Sequence, residues 1–539
     1  PKKHSRFFEA TERFFERLSD AYANSLRSFL LRPQLAKVII AASLAIIGGV
    51  GSQLQSELAP MEDKSRFMVM STAPEGTSFE LMKDYLVDII ETVDTLPERT
   101  SIISVTSPGF GGSISTNSGF VRVGFTDPSQ RTRTQAELAN LITGWTQQHN
   151  LARTFVIQEP TIDDNRRSGL PVEYVIQAPD FERLRAIIPT FMERVQQDPT
   201  FRVSDLNLKF NKPELTIEID RDRARALGVS VLEIAETLQL YFSGQRFGYF
   251  IYKGKQYQVI GQAARNDRDE PLDLSSAYVR NDKGELVQLD NLVQIGSSST
   301  PPQLYRYNRY VSATVSADPA PGFTIGDGIE AMDRIAEDVL DESFSTALAG
   351  VSKEFADSSS SLLFAFLMAL ALVFLVLAAQ FESWTDPLIV MFTVPLALAG
   401  AVLSLWLGGH TLNIFSQIGV IVLIGLVTKN GILIVEFANQ KREAGMGKME
   451  GLLEASRQRF RPILMTSLAT ILGAMPIALG LGAAAKSRIP MGIVIIGGLL
   501  FALVLTLYVV PALYSYLSSE KGVIPKNDVD ATGAAQHQR

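Results

Sequence analysis

Gly425-Leu-Val-Thr-Lys-Asn-Gly-Ile-Leu-Ile-Val-Glu-Phe437 is the stretch whose reading decides the fold. It lies in an apolar segment from about Asn413 to Ala438, long enough to cross a bilayer as a helix. Lys429 sits well inside that segment, where an ammonium group costs several kcal/mol. Either interface is roughly 14 Å or more away at ~1.5 Å per residue, farther than a lysine stem can snorkel. Two readings follow: a functional charge inside the membrane, which is taken forward, and a structural lysine paired with a neighbouring helix.

Outward from this segment the chain divides in two. Residues 362 to 517 are almost continuously apolar, whereas about 58 to 355 have the mixed composition of a globular protein. The 46% apolar content of the 539 residues therefore fits neither a disordered chain nor a wholly soluble one. A net charge of -7, with Lys and Arg scattered or beside apolar segments, argues against a nucleic-acid partner. The absence of cysteine excludes disulfides and thiolate metal sites but assigns no compartment. His4, His149, His410 and His537 are far apart in no ligand-like spacing and read as solvated loop residues, so no metal site and no cofactor is expected. Pro1 in place of Met is read as pointing to a processed or excised product.

Residues 7 to 30 alternate apolar residues (Phe7, Phe8, Phe14, Phe15, Leu18, Tyr22) with charges, which predicts an amphipathic helix lying on the membrane surface. Val38 to Gly51 follows as the first span, too far from the start for a cleaved signal peptide. From Arg66 the pattern becomes α/β. A strand at Phe67 to Thr72, a helix at Ser78 to Leu96, strands at Ser101 to Thr106 and Gly119 to Phe125, a helix at Gln135 to Gln148 and a strand at Thr154 to Gln158 give the order β-α-β-β-α-β. That order is a split βαβ unit, two helices on one face of a four-stranded antiparallel sheet.

A second unit comes in two pieces, Val172 to Phe210 and Tyr310 to Leu348, with about 95 residues inserted between them. Within the insert, Ser230-Val-Leu-Glu233 is a capping box opening a helix to Tyr241, and Gly244 to Gln262 reads as a hairpin. Five further spans are expected at about 360 to 380, 387 to 407, 413 to 438, 460 to 482 and 489 to 517. The loop Asn439 to Arg461 carries Lys441, Arg442, Lys448, Arg457, Arg459 and Arg461 and should be cytoplasmic, which puts the globular block outside. Two short loops disagree, with Glu382 and Asp386 inside and Lys486 and Arg488 outside.

Lys429, Asn430 and Glu436 share one helix, with Lys429 and Glu436 on nearly the same face; Glu436, near the end, is expected to meet water or a loop arginine. In Arg459-Phe-Arg-Pro-Ile-Leu-Met-Thr-Ser467 the two arginines lie at the interface, and Thr466 lies about two turns deeper. Its hydroxyl can back-bond to its own helix or donate to a proton relay. Gly473, Ala474, Gly480, Gly482, Gly497 and Gly498 are expected to allow close helix packing. The loop Pro108-Gly-Phe-Gly-Gly-Ser-Ile-Ser-Thr-Asn-Ser-Gly119 joins two strands, so it is a mobile loop with one aromatic, Phe110, or a plain hairpin connection, and no phosphate cradle. No nucleophile-base pair, Walker loop or metal cluster can be assembled, so no catalytic residue is nominated and an enzyme is not expected.

The Gly425 to Phe437 and Arg459 to Ser467 motifs, with Phe381-Glu-Ser-Trp384 and Thr411-Leu-Asn-Ile-Phe-Ser-Gln417, resemble the carboxy-terminal half of resistance-nodulation-division (RND) transporters, specifically the hydrophobe/amphiphile efflux pumps of Gram-negative bacteria. The resemblance covers essentially the whole chain up to Ser519. It implies a polytopic α-helical membrane protein of six transmembrane helices with a large periplasmic α+β region of split βαβ (ferredoxin-like) porter subdomains and an inserted docking subdomain. The implied divisions are a cytoplasmic amphipathic helix (1–34), a first transmembrane helix (35–57), a porter subdomain (58–164), a second porter subdomain (165–208 with 304–350), a docking insert (209–303), five transmembrane helices (355–517) and a cytoplasmic tail (518–539).

The resemblance also implies residue roles. Lys429 matches the family's coupling lysine, which pairs with two intramembrane aspartates; Thr466 matches a relay hydroxyl, Arg459 resembles the arginine at the cytoplasmic end, and Asn430 is grouped with them. Gly109, Phe110, Gly111 and Gly112 match a substrate-gating switch loop, here a residue shorter and with one of the usual aromatics. The aspartates belong to the other half of such transporters, and no span here is expected to carry an Asp. Proton-driven drug or amphiphile efflux in the bacterial inner membrane is the implied function. Implied partners are the amino-terminal half carrying the aspartate pair, a homotrimer, a periplasmic adaptor, an outer-membrane channel, amphiphilic small molecules and lipid. The alternatives are a non-transporting membrane-anchored fragment, or a heavy-metal exporter; Met68 and Met70 share a strand face, but the switch loop and the Val172 strand have no methionine.

Overall fold

Helix α1 (Arg6–Leu30) buries Tyr22, Leu26 and Leu30 along one stripe. The computed structural model describes residues 6–32, 34–108, 116–149, 151–162, 170–268, 277–301, 303–481 and 485–518. The stripe of α1 faces protein: Tyr22 stacks on Phe460 at 4.6 Å between centroids, its hydroxyl donates to the Leu507 carbonyl at 2.6 Å, and Asp20 pairs with Arg457 at 2.7 Å. The stripe thus packs on the helix bundle, where the phenol finds a specific hydrogen-bond partner. Helix α2 (Gln34–Gly51) follows as an apolar rod.

The first sheet unit contains β1 (Arg66–Thr72), α3 (Phe79–Asp94), β2 (Arg99–Thr106), β3 (Ser118–Phe125), α4 (Gln135–Thr146) and β4 (Arg153–Gln158). The antiparallel strand order β2-β3-β1-β4 is the split βαβ arrangement. Phe67, Val69 and Ser71 alternate inward along β1, under Met82, Leu86 and Ile89 of α3 and Leu138 and Ile142 of α4. Ser78 and Thr134 cap the two helices, Thr134 in a full capping box with Glu137. Arg133 grips both oxygens of Glu98 at 2.7 and 2.6 Å, and these bonds hold the Glu98 carboxyl below the ordinary carboxylate range.

The second unit begins with β5 (Val172–Ala178), α5 (Phe181–Gln197) and β6 (Phe201–Leu206). The insert holds β7 (Lys212–Ile219), α6 (Arg221–Ala226), α7 (Val231–Leu238), the hairpin β8 (Gln245–Tyr252) and β9 (Lys255–Gly261), β10 (Tyr278–Arg280), β11 (Leu286–Gln288) and β12 (Val293–Thr300). Strands β7 and β12 pair along their lengths, so the insert leaves and returns as one ribbon. The chain then adds β13 (Tyr305–Tyr307), β14 (Tyr310–Pro319), α8 (Ile325–Val339) and β15 (Ser345–Leu348). The pairings β6 to β14, β14 to β5 and β5 to β15 repeat the order of the first sheet, so the two pieces close one core. Ser230 and Glu233 form the capping box of α7, but the α-helix stops at Leu238 and a wider turn runs to Gly244 at φ 79°.

The membrane part comprises α9 (Gly350–Phe381), α10 (Thr385–Met391), α11 (Thr393–Leu407), α12 (Ile414–Glu443), α13 (Lys448–Ala478) and α14 (Ile489–Leu517). Among the described residues, six helical segments are long and apolar enough to span a membrane, with α10 and α11 continuing one another as one. Helices α9 and α13 begin about ten residues before the apolar runs, because their charged first turns continue the helix beyond the membrane-crossing part. Glu382, in the left-handed conformation at φ 50°, ends α9, and the Ser383 hydroxyl accepts from the Thr385 and Asp386 amides to start α10. Small residues set the packing of α14. A Cβ on Gly498 would lie 2.3 Å from Leu423, and one on Gly492 2.4 Å from the Ala478 backbone nitrogen. Gly473, by contrast, has no heavy atom of this chain within 4 Å of that position, and Gly480 at φ 63° sits in the turn after α13, where a Cβ would lie 3.0 Å from Ile489; Gly482 lies outside the described residues.

Several hydrogen bonds tie the soluble region to the bundle. Residues 55–58 run beside 412–414, with the Glu57 amide donating to Leu412 (3.1 Å), Leu412 to Gln55 (2.8 Å) and Ile414 to Leu58 (3.2 Å). The buried Glu62 carboxylate accepts from the Ser487 amide at 3.2 Å and its hydroxyl at 2.7 Å.

Candidate functional site

The Asn413 capping box with Ser416 starts α12, and the helix then presents two different faces. Leu423, Val427, Ile434 and Val435 are buried, while Ile418, Val422, Gly425 and Lys429 form an exposed stripe at helical spacing. Lys429 therefore points away from this bundle, and among the described residues no side chain forms an ion pair with it.

Asn430, one step of about 100° further round, faces α13. Its side-chain amide donates to the Ser467 hydroxyl at 3.1 Å, with Asn430 2% and Ser467 4% exposed. Ser467 was not singled out by the sequence reading, which chose its neighbour. The Thr466 hydroxyl donates to the Ile463 carbonyl at 3.2 Å, so of the two options left open the back-bond is the one formed here. Arg459 lies with its guanidinium carbon 4.2 Å from the Phe437 ring centroid, and its buried Nε has no hydrogen-bond partner among the described residues. Glu436 accepts from Gln440 of its own helix at 3.1 Å, and no loop arginine pairs with it among the described residues. Among the described residues no hydrogen bond or ion pair links Lys429, Thr466 and Arg459; α12 and α13 are joined by the Asn430 to Ser467 bond, by Arg459 on Phe437 and by a buried apolar cluster that includes Ile434, Val435, Leu452 and Ile463.

Asp386, in the short loop before the third apolar run by sequence, is 7% exposed in the first turn of α10. It accepts from Asn439 at 2.9 Å, ten residues along α12 from Lys429, so roughly 15 Å away along the helix. Asn439 in turn accepts from Tyr514, whose hydroxyl also accepts from Arg442 at 3.2 Å; Arg442 donates to Ser518 at 3.0 Å. This network ties the ends of α10, α12 and α14 together. It lay beyond sequence reasoning because its bonded pairs are 53 to 76 residues apart.

Between the two sheet units a cleft holds three adjoining cavities. One of about 320 Å³ borders the bundle at Glu57 and Val351, a central one of about 720 Å³ lies between β4 and β6, and one of about 490 Å³ reaches Phe210 and Asn211 beside the insert. Gly109, Phe110, Gly111 and Gly112 lie outside the described residues, so the switch-loop expectation has no structural counterpart here.

The sequence model of the AcrB/AcrD/AcrF family matches residues 1–518. The chain belongs to that family. Its members are RND transporters, and the six apolar helices with a sheet-bearing soluble region are the architecture of such a transporter half. A curated relative described as an uncharacterized transporter, from Haemophilus influenzae (strain ATCC 51907 / DSM 11121 / KW20 / Rd), is 32% identical over 489 residues, which cover 89% of this chain and 47% of the relative. The chain therefore spans about half the length of that relative. This RND-family chain is a multi-pass membrane transporter component, and the family gives no ground to expect an enzyme.

Proposed function

We propose that this chain is the carboxy-terminal half of a proton-driven exporter of drugs or other amphiphiles in the bacterial inner membrane, with the sheet units on the periplasmic side. The observation that carries the reading is Lys429, exposed on the outer stripe of α12 in mid-span and unpaired among the described residues. A lysine held there needs a carboxylate from another membrane segment, and the amino-terminal half of the transporter is the segment that would supply an aspartate pair. When those carboxylates are ionised they hold Lys429; when protonated they release it, giving a two-state element that protons bias.

Asn430, Thr466 and Arg459 are proposed to complete the relay with Lys429. The Asn430 to Ser467 bond couples a shift of α12 to α13, and Arg459 with its unpartnered Nε sits at the basic end of α13. Movement would reach the sheets through α9, whose first turn is fastened to the second unit: the Ser352 hydroxyl accepts from the Glu173 amide at 3.0 Å and donates to Pro171 at 3.3 Å. The basic residues Lys441, Arg442 and Lys448 at the α12 to α13 turn, at the end of the bundle away from the sheets, support the orientation. The sheet units are proposed as porter subdomains and the insert as the docking subdomain for an adaptor and an outer-membrane channel, in a trimer. Its hairpin exposes Phe247, Phe250 and Ile251.

The test is Lys429→Ala in the intact transporter. Loss of amphiphile resistance with assembly preserved is the expected result, and a fully active variant sinks the relay.

A further inference from the structure

The three cavities of the cleft are in series, and an ion pair stands at each junction. Arg202 and Asp318 line both the membrane-side and the central cavity, and they pair with each other within the second unit. Arg153 lines both the central and the insert-side cavity. The second junction is the one that crosses the cleft. Arg153, at the start of β4 in the first unit, donates to Asp205 at 3.0 Å and to the Ser204 carbonyl at 3.0 Å, both on β6 of the second unit.

The Arg153 junction is unequal in charge. Among the described residues Asp205 is answered twice, by Arg153 and by Lys209 at 4.0 Å, whereas Arg153 has one carboxylate. Exposure is unequal in the same sense, with the Arg153 side chain 58% and that of Asp205 29% exposed. If the units part, Asp205 keeps a cation and Arg153 is left without an anion. Glu75 lies on the wall of the insert-side cavity but outside this trio.

We propose that Arg153, Asp205 and Lys209 form an anion-selective latch across the cleft, which passes amphiphiles bearing a carboxylate or sulfate head by letting that head take the place of Asp205 on Arg153. The proposal rests on the export reading above. An anionic head binds the open state with a planar guanidinium partner and so shifts the cleft toward opening. A cationic head gains nothing comparable, because Lys209 already occupies the neighbourhood of Asp205 and repels it.

The test uses the intact transporter in a host stripped of its own pumps, with growth inhibition by two amphiphiles of the same tail, dodecyl sulfate and dodecyltrimethylammonium. Arg153→Gln should lower protection against dodecyl sulfate about fivefold, the scale of one exposed charge pair, and leave dodecyltrimethylammonium protection unchanged. Arg153→Lys should restore most of the loss, and Asp205→Asn, which frees Arg153, should keep dodecyl sulfate protection. A merely structural clamp predicts otherwise: Arg153→Gln and Asp205→Asn failing together on both amphiphiles overturns the latch, as does Arg153→Gln without effect. A wild-type transporter that protects against neither amphiphile overturns the export reading itself, and the latch with it.

Discussion

Gly425 stands one helical turn from Lys429 on the exposed stripe of α12, and a Cβ built there meets no heavy atom within 4 Å. In this chain by itself Gly425→Leu therefore meets no clash. Replacing glycine within a helix favours the helix by about 0.8–1.0 kcal/mol, so the isolated chain should melt at the same temperature or slightly higher. If the amino-terminal half packs against the Lys429 stripe, the same isobutyl group overfills a helix contact at a cost of about 1–3 kcal/mol. That corresponds to a loss of about fivefold to 150-fold in association. Gly431 on the same helix is the internal control, because its Cβ would already lie 3.2 Å from Val390 and Thr393. Gly431→Leu should destabilise the isolated chain as well as the assembly. The assays are thermal melting of the isolated chain in detergent and co-purification of the two halves expressed as separate chains. Gly425→Leu that melts normally, co-purifies fully and confers full resistance would refute a partner on this face.

Other outcomes follow from the joints and the soluble units. Glu62→Leu leaves the buried Ser487 amide and hydroxyl without their acceptor, at about 1–3 kcal/mol for each unsatisfied group, so the melting temperature of the chain should fall, and Ser487→Ala, which keeps the amide bond, should cost less. Glu98, depressed by its Arg133 bonds, contributes stability that is complete above its unfolded value of ~4.3 and is lost as pH falls through its lower folded value. Acid denaturation monitored by circular dichroism should show that limb in the wild type and a flatter one in Glu98→Gln.

The sheet elements were readable from the chain because β1 and β3 alternate inward and outward residues and Ser78, Thr134 and Ser230 announce helix starts. Lys429 was readable for a different reason, as a charge whose cost in an apolar run needs no knowledge of neighbours. What stayed hidden depends on direction or on distance. Thr466 and Ser467 differ by one step of about 100°, and only packing decides that Ser467 faces Asn430. Gly473 and Gly498 look alike in an apolar helix, yet one faces open space and the other Leu423. The Arg153 to Asp205 pair joins residues 52 positions apart on two separate sheets, and the Asn439 to Asp386 bond joins residues 53 positions apart.

Proton flux in proteoliposomes of the intact transporter tests the central claim most directly, with an imposed pH gradient and dodecyl sulfate as the transported amphiphile. The account predicts amphiphile-dependent proton movement in the wild type and none in Lys429→Ala reconstituted at equal assembly. Undiminished flux in Lys429→Ala would contradict it, because the exposed lysine of α12 would then have no part in coupling.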